Sequence, residues 1–264
     1  MRRQRPRRES TLGWALQSRS LGAAEDLDYA LTLLRAVQSG DLGAMVRIYR
    51  PEPTVSFGQR DARLPGFAHA SRRSAELGFT PVIRKAGGRA AAYHRGSLVV
   101  DHLEPNDDAK IETQARFVGF ANLFVEALES IGVSAGVGEI PGEYCPGEFS
   151  VHGKTMSGTK IKLIGTAQRV VKGAWLFSSS IVVENTPPIR EVTEAVYDAL
   201  GLDLDPATIG SAQDLNALVT TEMVSRAIEG AYRRRTSLEP IEFEQLLTRV
   251  PPHAHIPDTK IGLF

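Results

Sequence analysis

The 264-residue sequence predicts an α+β fold, in which helices flank a mixed β-sheet and a small helical part follows at the C-terminus. Two observations support this fold class. Apolar runs typical of strands occur both as close neighbours joined by turns and on either side of helical segments. Beyond Asn185 the composition changes, Pro187-Pro188 interrupts the chain, and helical patterns are predicted over residues 190–200, 213–234 and 241–249.

The first half of the chain is predicted to contain one long helix followed by short strands. Residues 23–38 carry apolar side chains at helical spacing, and Ser39-Gly40 ends that helix. The strands that follow are bounded by glycine- and proline-containing segments, which favour turns. Strands are predicted over residues 45–49, 54–57, 81–84, 90–94 and 97–103, and a short helix over 71–77.

The second half begins with the clearest helix of the sequence. Over residues 112–132, Phe117, Phe120 and Phe124 share one broad apolar face, and Gly132 ends the helix. An extended segment is predicted over residues 133–140, and strands are predicted over 160–164 and 175–183.

Composition excludes several classes of protein. Lys+Arg and Asp+Glu number 31 each, so no net charge attracts nucleic acid or an anionic membrane. No run of 18 apolar residues predicts a transmembrane helix, and a single cysteine excludes an internal disulfide, so we expect a cytoplasmic protein. Residues 1–20 begin Met-Arg-Arg-Gln-Arg-Pro-Arg-Arg, without the apolar segment of a secretory signal. They predict a disordered basic arm, with an organellar transit peptide as the alternative.

The first chemical candidate is Cys145, which lies in a Tyr-Cys-Pro-Gly stretch that predicts a loop. Seventeen residues later, Lys162 begins a short strand that continues into Gly165-Thr166-Ala167. An ammonium group beside a thiol favours the thiolate, which is the nucleophilic form and suits acyl transfer through a thioester. Taken alone, the cysteine is better explained as a buried and inert side chain, and the lysine as a surface residue beside a β-bulge.

The second candidate surrounds the pair Gly87-Gly88, at the end of a predicted strand. Paired glycines let the backbone approach a bound group and present amide donors. Arg84 and Arg89 flank the pair and are suited to a phosphate or carboxylate, and His94 follows. The alternatives are a hairpin turn with solvated arginines and a structural histidine. The spacing of histidines, cysteine and carboxylates predicts no metal site.

Three motifs, namely the glycine-pair segment, the Cys145 loop and the Lys162 strand, resemble in this order and spacing those of the lipoate-protein ligase and octanoyltransferase superfamily. Residues 47–58 resemble it too, and the resemblance covers roughly residues 22–184. It implies a biotin/lipoate protein ligase-like catalytic domain over residues 21–185, with a helical C-terminal extension over 186–264. Cysteine-containing members of that superfamily move an octanoyl or lipoyl group through a thioester to a lysine of a carrier domain. Lipoyl-domain proteins, the glycine-cleavage H protein and acyl carrier protein are the implied partners, and no cofactor is required.

The resemblance also implies roles for the candidate residues. Cys145 would carry the acyl group, and Lys162 would bind the acyl carbonyl or assist proton transfer. The residues implied to form the acyl site are Arg84, Gly87, Gly88, Arg89, His94, Gly165, Thr166 and Ala167.

The sequence departs from the ATP-dependent ligases of the superfamily, because it lacks their three-glycine loop and the Asn-Asp pair that they carry just before the lysine strand. Three questions stay open. The first is the acyl donor, which is either H protein or acyl carrier protein. The second is the active-site lysine, because residues 152–159 look like an insertion that leaves Lys160 as an alternative to Lys162. The third is the reaction, since the sequence is compatible with an acyltransferase, with a ligase that needs ATP and Mg²⁺, and with a non-catalytic relative that binds carrier domains.

Overall fold

The computed structural model describes residues 11–85, 87–107 and 111–252 of the chain, and these form eleven strands and six helices. The helices are α1 (Ala23–Ser39), α2 (Phe67–Glu76), α3 (Thr113–Glu129), α4 (Thr186–Leu200), α5 (Thr221–Arg233) and α6 (Phe243–Arg249). The strands are β1 (Thr11–Leu16), β2 (Met45–Tyr49), β3 (Thr54–Phe57), β4 (Thr80–Ile83), β5 (Ala91–Tyr93), β6 (Ser97–Pro105), β7 (Ala135–Val137), β8 (Val151–Lys154), β9 (Lys160–Val171), β10 (Ala174–Val182) and β11 (Ser237–Pro240). The predicted α+β class is confirmed.

Eight strands form one mixed sheet in the order β11-β1-β2-β6-β10-β9-β8-β7. β1 is parallel to both of its neighbours, and every other pair in this sheet is antiparallel. The side chains of each strand alternate between the two faces of the sheet, so the apolar residues on each face are buried by helices packed against that face. One apolar cluster joins this sheet to α3 and α5, and a second joins it to α1 and α6.

Three strands form a smaller sheet in the order β4-β3-β5, with β3 parallel to β4 and antiparallel to β5. A third apolar cluster packs this sheet against α2 and α4. The segment between β4 and β5 contains the Gly87-Gly88 pair. The small sheet therefore carries the glycine loop, and the large sheet carries Lys162 on β9.

The prediction of a disordered arm over residues 1–20 is wrong for the part that the structure describes, since residues 11–16 form β1 inside the large sheet. Leu12, Trp14 and Ala15 are buried there. The alternation of Leu12, Trp14 and Leu16 indicates a strand, but six residues beside an arginine-rich stretch are a weak signal. Residues 1–10 lie outside the described residues.

Residues 186–252, predicted as a helical C-terminal extension, pack on the preceding elements and also contribute a strand to the large sheet. β11 pairs with β1 at the edge of the large sheet, α4 packs on α2, and α5 packs on α3. Pro187-Pro188, which looks like a break in the sequence, occupies the first turn of α4. Proline is tolerated there because the first amides of a helix have no intrahelical acceptor.

Two further differences concern the region before the predicted lysine strand. Residues 152–159, which look like an insertion, are mostly β8 and the turn of a β8–β9 hairpin. β9 is longer than predicted and continues through Gly165-Thr166-Ala167 to Val171. Among the helices of the described residues, none has the length and apolar character needed to cross a bilayer.

Candidate active site

Cys145 lies on the loop between β7 and β8, in a backbone conformation that is unusual for a residue with a side chain. Its φ of 44° is in the left-handed region, where a Cβ atom costs about 1–2 kcal/mol. Residues held in such conformations persist only where the surroundings determine them, and they cluster at functional sites. The contacts that hold this loop therefore matter for its function.

Glu143 and Lys162 form the buried support of the cysteine loop. One carboxylate oxygen of Glu143 accepts from the amides of Ile140 and Gly147 at 3.2 and 3.3 Å and from Ser150 Oγ at 3.0 Å. Its other oxygen lies 2.9 Å from Lys162 Nζ, and both side chains are almost fully buried. A buried charge pair needs hydrogen bonds to its other polar atoms, and the first oxygen of Glu143 has three donors, while the second has the ammonium of Lys162 as its contact.

Lys162 Nζ also donates to two backbone carbonyl oxygens of the loop, those of Tyr144 at 2.9 Å and Cys145 at 2.8 Å. An ammonium group carries three hydrogens, and these two carbonyls and Glu143 provide three acceptors. The side chain therefore fixes the carbonyl side of Cys145. Lys160, the alternative lysine, is exposed in the β8–β9 hairpin, so the geometry favours Lys162 as the active-site lysine.

Tyr197, on α4, holds the amide side of the same residue. Its hydroxyl accepts from the amide of Cys145 at 2.6 Å and donates to the carbonyl of Ala90 at 3.1 Å. Burial raises the pKa of Tyr197, so the phenol stays protonated and keeps the hydrogen that it donates. One hydroxyl thus joins α4, the cysteine loop and the end of the glycine loop.

The sulfur of Cys145 contacts the glycine loop of the small sheet. It accepts from the amide of Arg89 at 3.2 Å and lies 3.7 Å from Arg84 Nη2. A Cβ atom at Gly88 would lie 2.9 Å from the sulfur and 2.4 Å from Arg84 Nη2, and the φ of Gly88 is 102°. Only glycine fits this close approach.

Asp61 anchors the other end of this loop. It is fully buried, and its carboxylate accepts from the amide of Gly58 at 2.9 Å and pairs with Arg89 Nη1 at 3.0 Å. A Cβ atom at Gly58 would lie 1.9 Å from the carbonyl oxygen of Gly88, so the two backbones are in close contact. The side chain of Arg89 is therefore an anchor, and its amide is the group that meets the sulfur.

A cavity of about 830 Å³ opens beside Cys145 and extends between the small sheet, the large sheet and α1. This volume is within the range of small-molecule sites. Much of the wall is apolar. The apolar side chains that line it include Leu27, Leu31, Phe67, Val82, Ile83, Val99, Phe117, Phe149 and Leu176. The cavity can therefore hold an aliphatic chain that reaches the sulfur.

The large sheet contributes a buried ion pair next to this cavity. Asp101 lines the cavity and is 2.9 Å from Arg47 Nη2, with both side chains fully buried. Ser178 Oγ donates to Asp101 at 2.7 Å, and the guanidinium of Arg47 lies over the ring of Tyr49. Burial raises the pKa of Asp101, while Arg47 and Ser178 act in the opposite direction.

Most of the candidate residues from the sequence meet at this site. Arg84, Gly87, Gly88, Cys145, Lys162, Gly165, Thr166 and Ala167 all line the cavity. The guanidinium of Arg89 is directed to Asp61 instead.

His94 is the exception, because its side chain belongs to the turn between β5 and β6. Its Nε2 lies 3.0 Å from the carbonyl oxygen of Asn185, and its Nδ1 accepts from the amide of Gly96 at 3.1 Å. His94 is not part of the cavity lining. The prediction that it contacts the acyl group is therefore corrected to a structural role.

Sequence reasoning missed Glu143, Tyr197 and Asp61. Glu143 is visible in the sequence as a carboxylate two residues before the cysteine. Its partner Lys162 is 19 positions further along the chain, so the ion pair is seen only in the folded structure. Asp61 and Tyr197 carry no local signal, since Asp61 is one acidic residue in a short turn segment and Tyr197 is one of several buried residues on α4.

The arrangement suits nucleophilic chemistry at sulfur. A thiol that accepts an amide hydrogen bond and lies beside an arginine can carry negative charge, and the adjoining cavity can hold the acyl group that it attacks. Within the described residues, no group of three or more His, Cys, Asp or Glu side chains is placed to hold a metal ion.

Comparison with known proteins gives one family and several relatives. The model of the lipoyl protein ligase A/B catalytic domain matches residues 23–203, which crosses the boundary predicted after residue 185. An octanoyl-[GcvH]:protein N-octanoyltransferase of Exiguobacterium sp. is 28% identical over 85% of this chain and 79% of its own length. A protein of the same name from Anoxybacillus flavithermus is 26% identical over 86% of each chain.

Solved structures with the same fold are more distant in sequence. A lipoate-protein ligase A bound with ATP superposes with a TM-score of 0.68 and 19% identity, over 91% of this chain and 93% of that chain. A bipartite lipoate protein ligase of Thermoplasma acidophilum gives a TM-score of 0.64 and 21% identity, over 91% of each chain. At these identities the likeness concerns the fold.

Proposed function

Since the chain belongs to the lipoyl protein ligase A/B catalytic domain family, as its motifs predict, we propose that it is an acyltransferase of lipoate metabolism. It moves an octanoyl or lipoyl group through a thioester on Cys145 to a lysine of a lipoyl domain or H protein. The observation that carries this proposal is the sulfur of Cys145, which lies beside Arg84 and the amide of Arg89 and lines a largely apolar cavity. The names of the octanoyltransferase relatives support the same reaction class.

The reaction consists of two successive acyl transfers, first to a sulfur and then to an amine. In the first, the sulfur of Cys145 attacks the carbonyl carbon of the acylated donor. A C–S bond forms, the bond to the donor's nitrogen or sulfur breaks, and the leaving group takes up the proton that ionisation of the thiol releases. In the second, the amine of the acceptor lysine attacks the thioester. A C–N bond forms, the C–S bond breaks, and the proton that the amine loses balances the charge of the departing sulfur.

No step of this scheme consumes a nucleotide, because the donor already carries the acyl group in a covalent linkage, which the reaction exchanges for another. A ligase must instead activate a free acid with ATP. The need for ATP therefore separates the two reactions experimentally.

In this scheme Lys162 is a positioning residue in the free enzyme. Its three contacts, with Glu143 and with the carbonyls of Tyr144 and Cys145, hold the cysteine loop in its left-handed conformation. We propose that Lys162→Met removes most acyl transfer, whereas Lys160→Met, at an exposed position two residues away, leaves it within about two-fold. Near-normal transfer by Lys162→Met would contradict this role.

The cavity supplies the affinity for the acyl chain. Burial of each CH₂ group contributes about 0.8 kcal/mol, so the seven carbons beyond the octanoyl carbonyl contribute up to about 6 kcal/mol. Each CH₂ group removed from the acyl chain should then lower kcat/KM about four-fold, until the acyl chain no longer reaches the apolar wall of the cavity. A hexanoyl donor is expected to react about 15-fold more slowly than an octanoyl donor.

The experiment is an intact-mass measurement after incubation with an octanoyl-loaded carrier and no ATP. One octanoyl mass is expected on the protein, located on Cys145 by peptide mapping and released by neutral hydroxylamine. Octanoyl-H protein and octanoyl-acyl carrier protein are supplied in separate arms, which identifies the donor. Cys145→Ala is the control and should stay unmodified.

Each alternative gives a different result in this assay. Transfer of free octanoate only in the presence of ATP, with full activity of Cys145→Ala, would establish a ligase. Carrier binding with neither mass gain nor transfer would establish a non-catalytic relative.

A further inference from the structure

A thiolate at Cys145 needs a positive charge nearby, and two cationic side chains reach the cysteine loop. Lys162 Nζ approaches the backbone carbonyls of the loop, whereas Arg84 Nη2 approaches the sulfur itself at 3.7 Å. The sequence favours the lysine, because it precedes the small-residue segment of β9. The contacts of the two side chains indicate the opposite assignment.

The charge of Lys162 is already balanced. Its ammonium lies 2.9 Å from the carboxylate of Glu143, and both side chains are almost fully buried. The opposite charge of Glu143 is therefore in direct contact with the ammonium, and the other hydrogen-bond acceptors of Lys162 are backbone carbonyl oxygens of the loop. Lys162 therefore contributes the position of the loop and little net charge.

Arg84 has partners of a different kind. Its guanidinium donates to the carbonyl oxygens of Arg89 at 2.7 Å and Gly87 at 3.0 Å, and it lies 3.5 Å from that of Ser56. Among the residues that the structure describes, its acceptors are these neutral carbonyls and the sulfur. Its positive charge is therefore available to the sulfur, and the carbonyls fix its direction.

The amide of Arg89 completes the environment of the sulfur at 3.2 Å. Its orientation follows from two features of the loop. Gly88 has a positive φ, which turns the next amide toward the sulfur, and Asp61 holds the side chain of Arg89 at 3.0 Å. An amide and a guanidinium that converge on one atom form a site for an anion.

We propose that Arg84, together with the amide of Arg89, holds the sulfur of Cys145 as the thiolate in the free enzyme. The proposal rests on the proposed function only in taking Cys145 as the nucleophile. Arg84 contacts the reacting atom and is a catalytic residue in this scheme, and Lys162 is the residue that positions the loop. From the sequence alone, Arg84 is expected to hold a phosphate or carboxylate, so this is a different role.

The test is the rate of alkylation of Cys145 by iodoacetamide between pH 5 and pH 10, followed by intact mass. No acyl donor is present, so the result is independent of whether the protein transfers octanoyl groups. Cys145 is the only cysteine in the chain, so every alkylated thiol reports this site. Arg84→Gln should react about ten-fold more slowly at pH 7, because an opposite charge at this distance favours the ionised form by about that factor. At pH 10 it should react as fast as the wild type.

Arg169→Gln is the matched control. Arg169 Nη1 donates to the carbonyl of Lys85 at 2.7 Å, so it also anchors the glycine loop through a backbone oxygen. Its loss should leave the pH profile of alkylation unchanged. Arg84→Lys keeps a charge while losing the directed hydrogen bonds, and its profile should lie closer to the wild type than that of Arg84→Gln.

Two outcomes would overturn the proposal. An Arg84→Gln profile that matches the wild type would show that another group stabilises the thiolate. Equal slowing by Arg84→Gln and Arg169→Gln, at pH 7 and at pH 10 alike, would show that loop geometry and not charge is responsible. If Arg84→Gln does not fold, judged by circular dichroism, Arg84→Lys decides. Alkylation within about two-fold of the wild type at both pH 7 and pH 10 supports the charge role, and a slowing of about five-fold or more that is equal at the two pH values contradicts it.

Discussion

Tyr197→Phe tests whether α4 belongs to the candidate active site. The substitution keeps the ring, which packs in the apolar cluster around the small sheet, and removes only the hydroxyl. The amide of Cys145 loses its acceptor and the carbonyl of Ala90 loses its donor. Since each buried hydrogen bond contributes about 1 kcal/mol, the expected loss is about 2 kcal/mol.

The lost hydrogen bonds help to hold Cys145 in its left-handed backbone conformation, which itself costs about 1–2 kcal/mol. A loss of about 2 kcal/mol corresponds to at most a 30-fold decrease in the rate of thioester formation, and we expect a decrease between five- and 30-fold. The melting temperature should fall by about 4–8 °C for a chain of this size.

The assay measures single-turnover acylation by octanoyl-H protein, followed by intact mass, together with thermal unfolding. Tyr232→Phe is the matched control, since Tyr232 is also buried and its hydroxyl lies 2.9 Å from His102 Nδ1 on the opposite face of the large sheet. It should lose stability and keep the wild-type acylation rate. If Tyr197→Phe acylates within two-fold of the wild type, the hydroxyl does not hold the reactive loop and the reasoning is refuted.

The remaining predictions concern the glycine loop, β1 and the pH dependence of stability. Gly88→Ala should remove most alkylation and acylation, because its Cβ would meet the sulfur at 2.9 Å, whereas Gly87→Ala, with open space around its Cβ, should keep both within a few-fold. Trp14→Ala should lower the melting temperature by about 10 °C, from about 3–5 kcal/mol of lost burial, whereas Leu16→Ala, at a half-exposed position of the same strand, should change it by less than 2 °C. Burial, together with the charge of Lys160, lowers the pKa of His152 in the folded protein. The neutral imidazole therefore makes its full contribution to stability above the unfolded-state pKa of about 6.5, and this contribution is lost as pH falls through the lower pKa of the folded protein. His152→Gln should therefore lose less unfolding free energy than the wild type between pH 7 and pH 5 in urea titrations, and an equal loss in both proteins would contradict this.

The sequence by itself determined the elements with strong periodicity. The helix over 112–132, the strands at 45–49 and 54–57, and the helix over 23–38 are found at or within a few residues of their predicted bounds. These segments are long or are bounded by glycine and proline, so local preferences and tertiary packing agree. The glycine pair, the single cysteine and the lysine of β9 were predicted from residue type and order, and the fold brings them to one cavity.

Weak local signals failed where tertiary contacts decide. β1 and β11 are short strands of six and four residues, and each is stable only through pairing with its neighbours in the sheet. A strand satisfies its backbone hydrogen bonds across the sheet, so its existence depends on residues far along the chain. The same reason explains why the C-terminal residues look like an extension in sequence and form part of the sheet and core in the structure.

The sequence determined which residue types the site contains, and the tertiary structure decided what each of them contacts. Cys145, Arg84 and Lys162 were all visible, but the sequence could not assign the two positive charges. Glu143 balances Lys162, backbone carbonyls of the glycine loop direct Arg84 to the sulfur, and the turn at Gly88 directs the amide of Arg89 to it. Electrostatic interactions depend on distance and burial in three dimensions, and residues 61 positions apart in the chain meet only after folding.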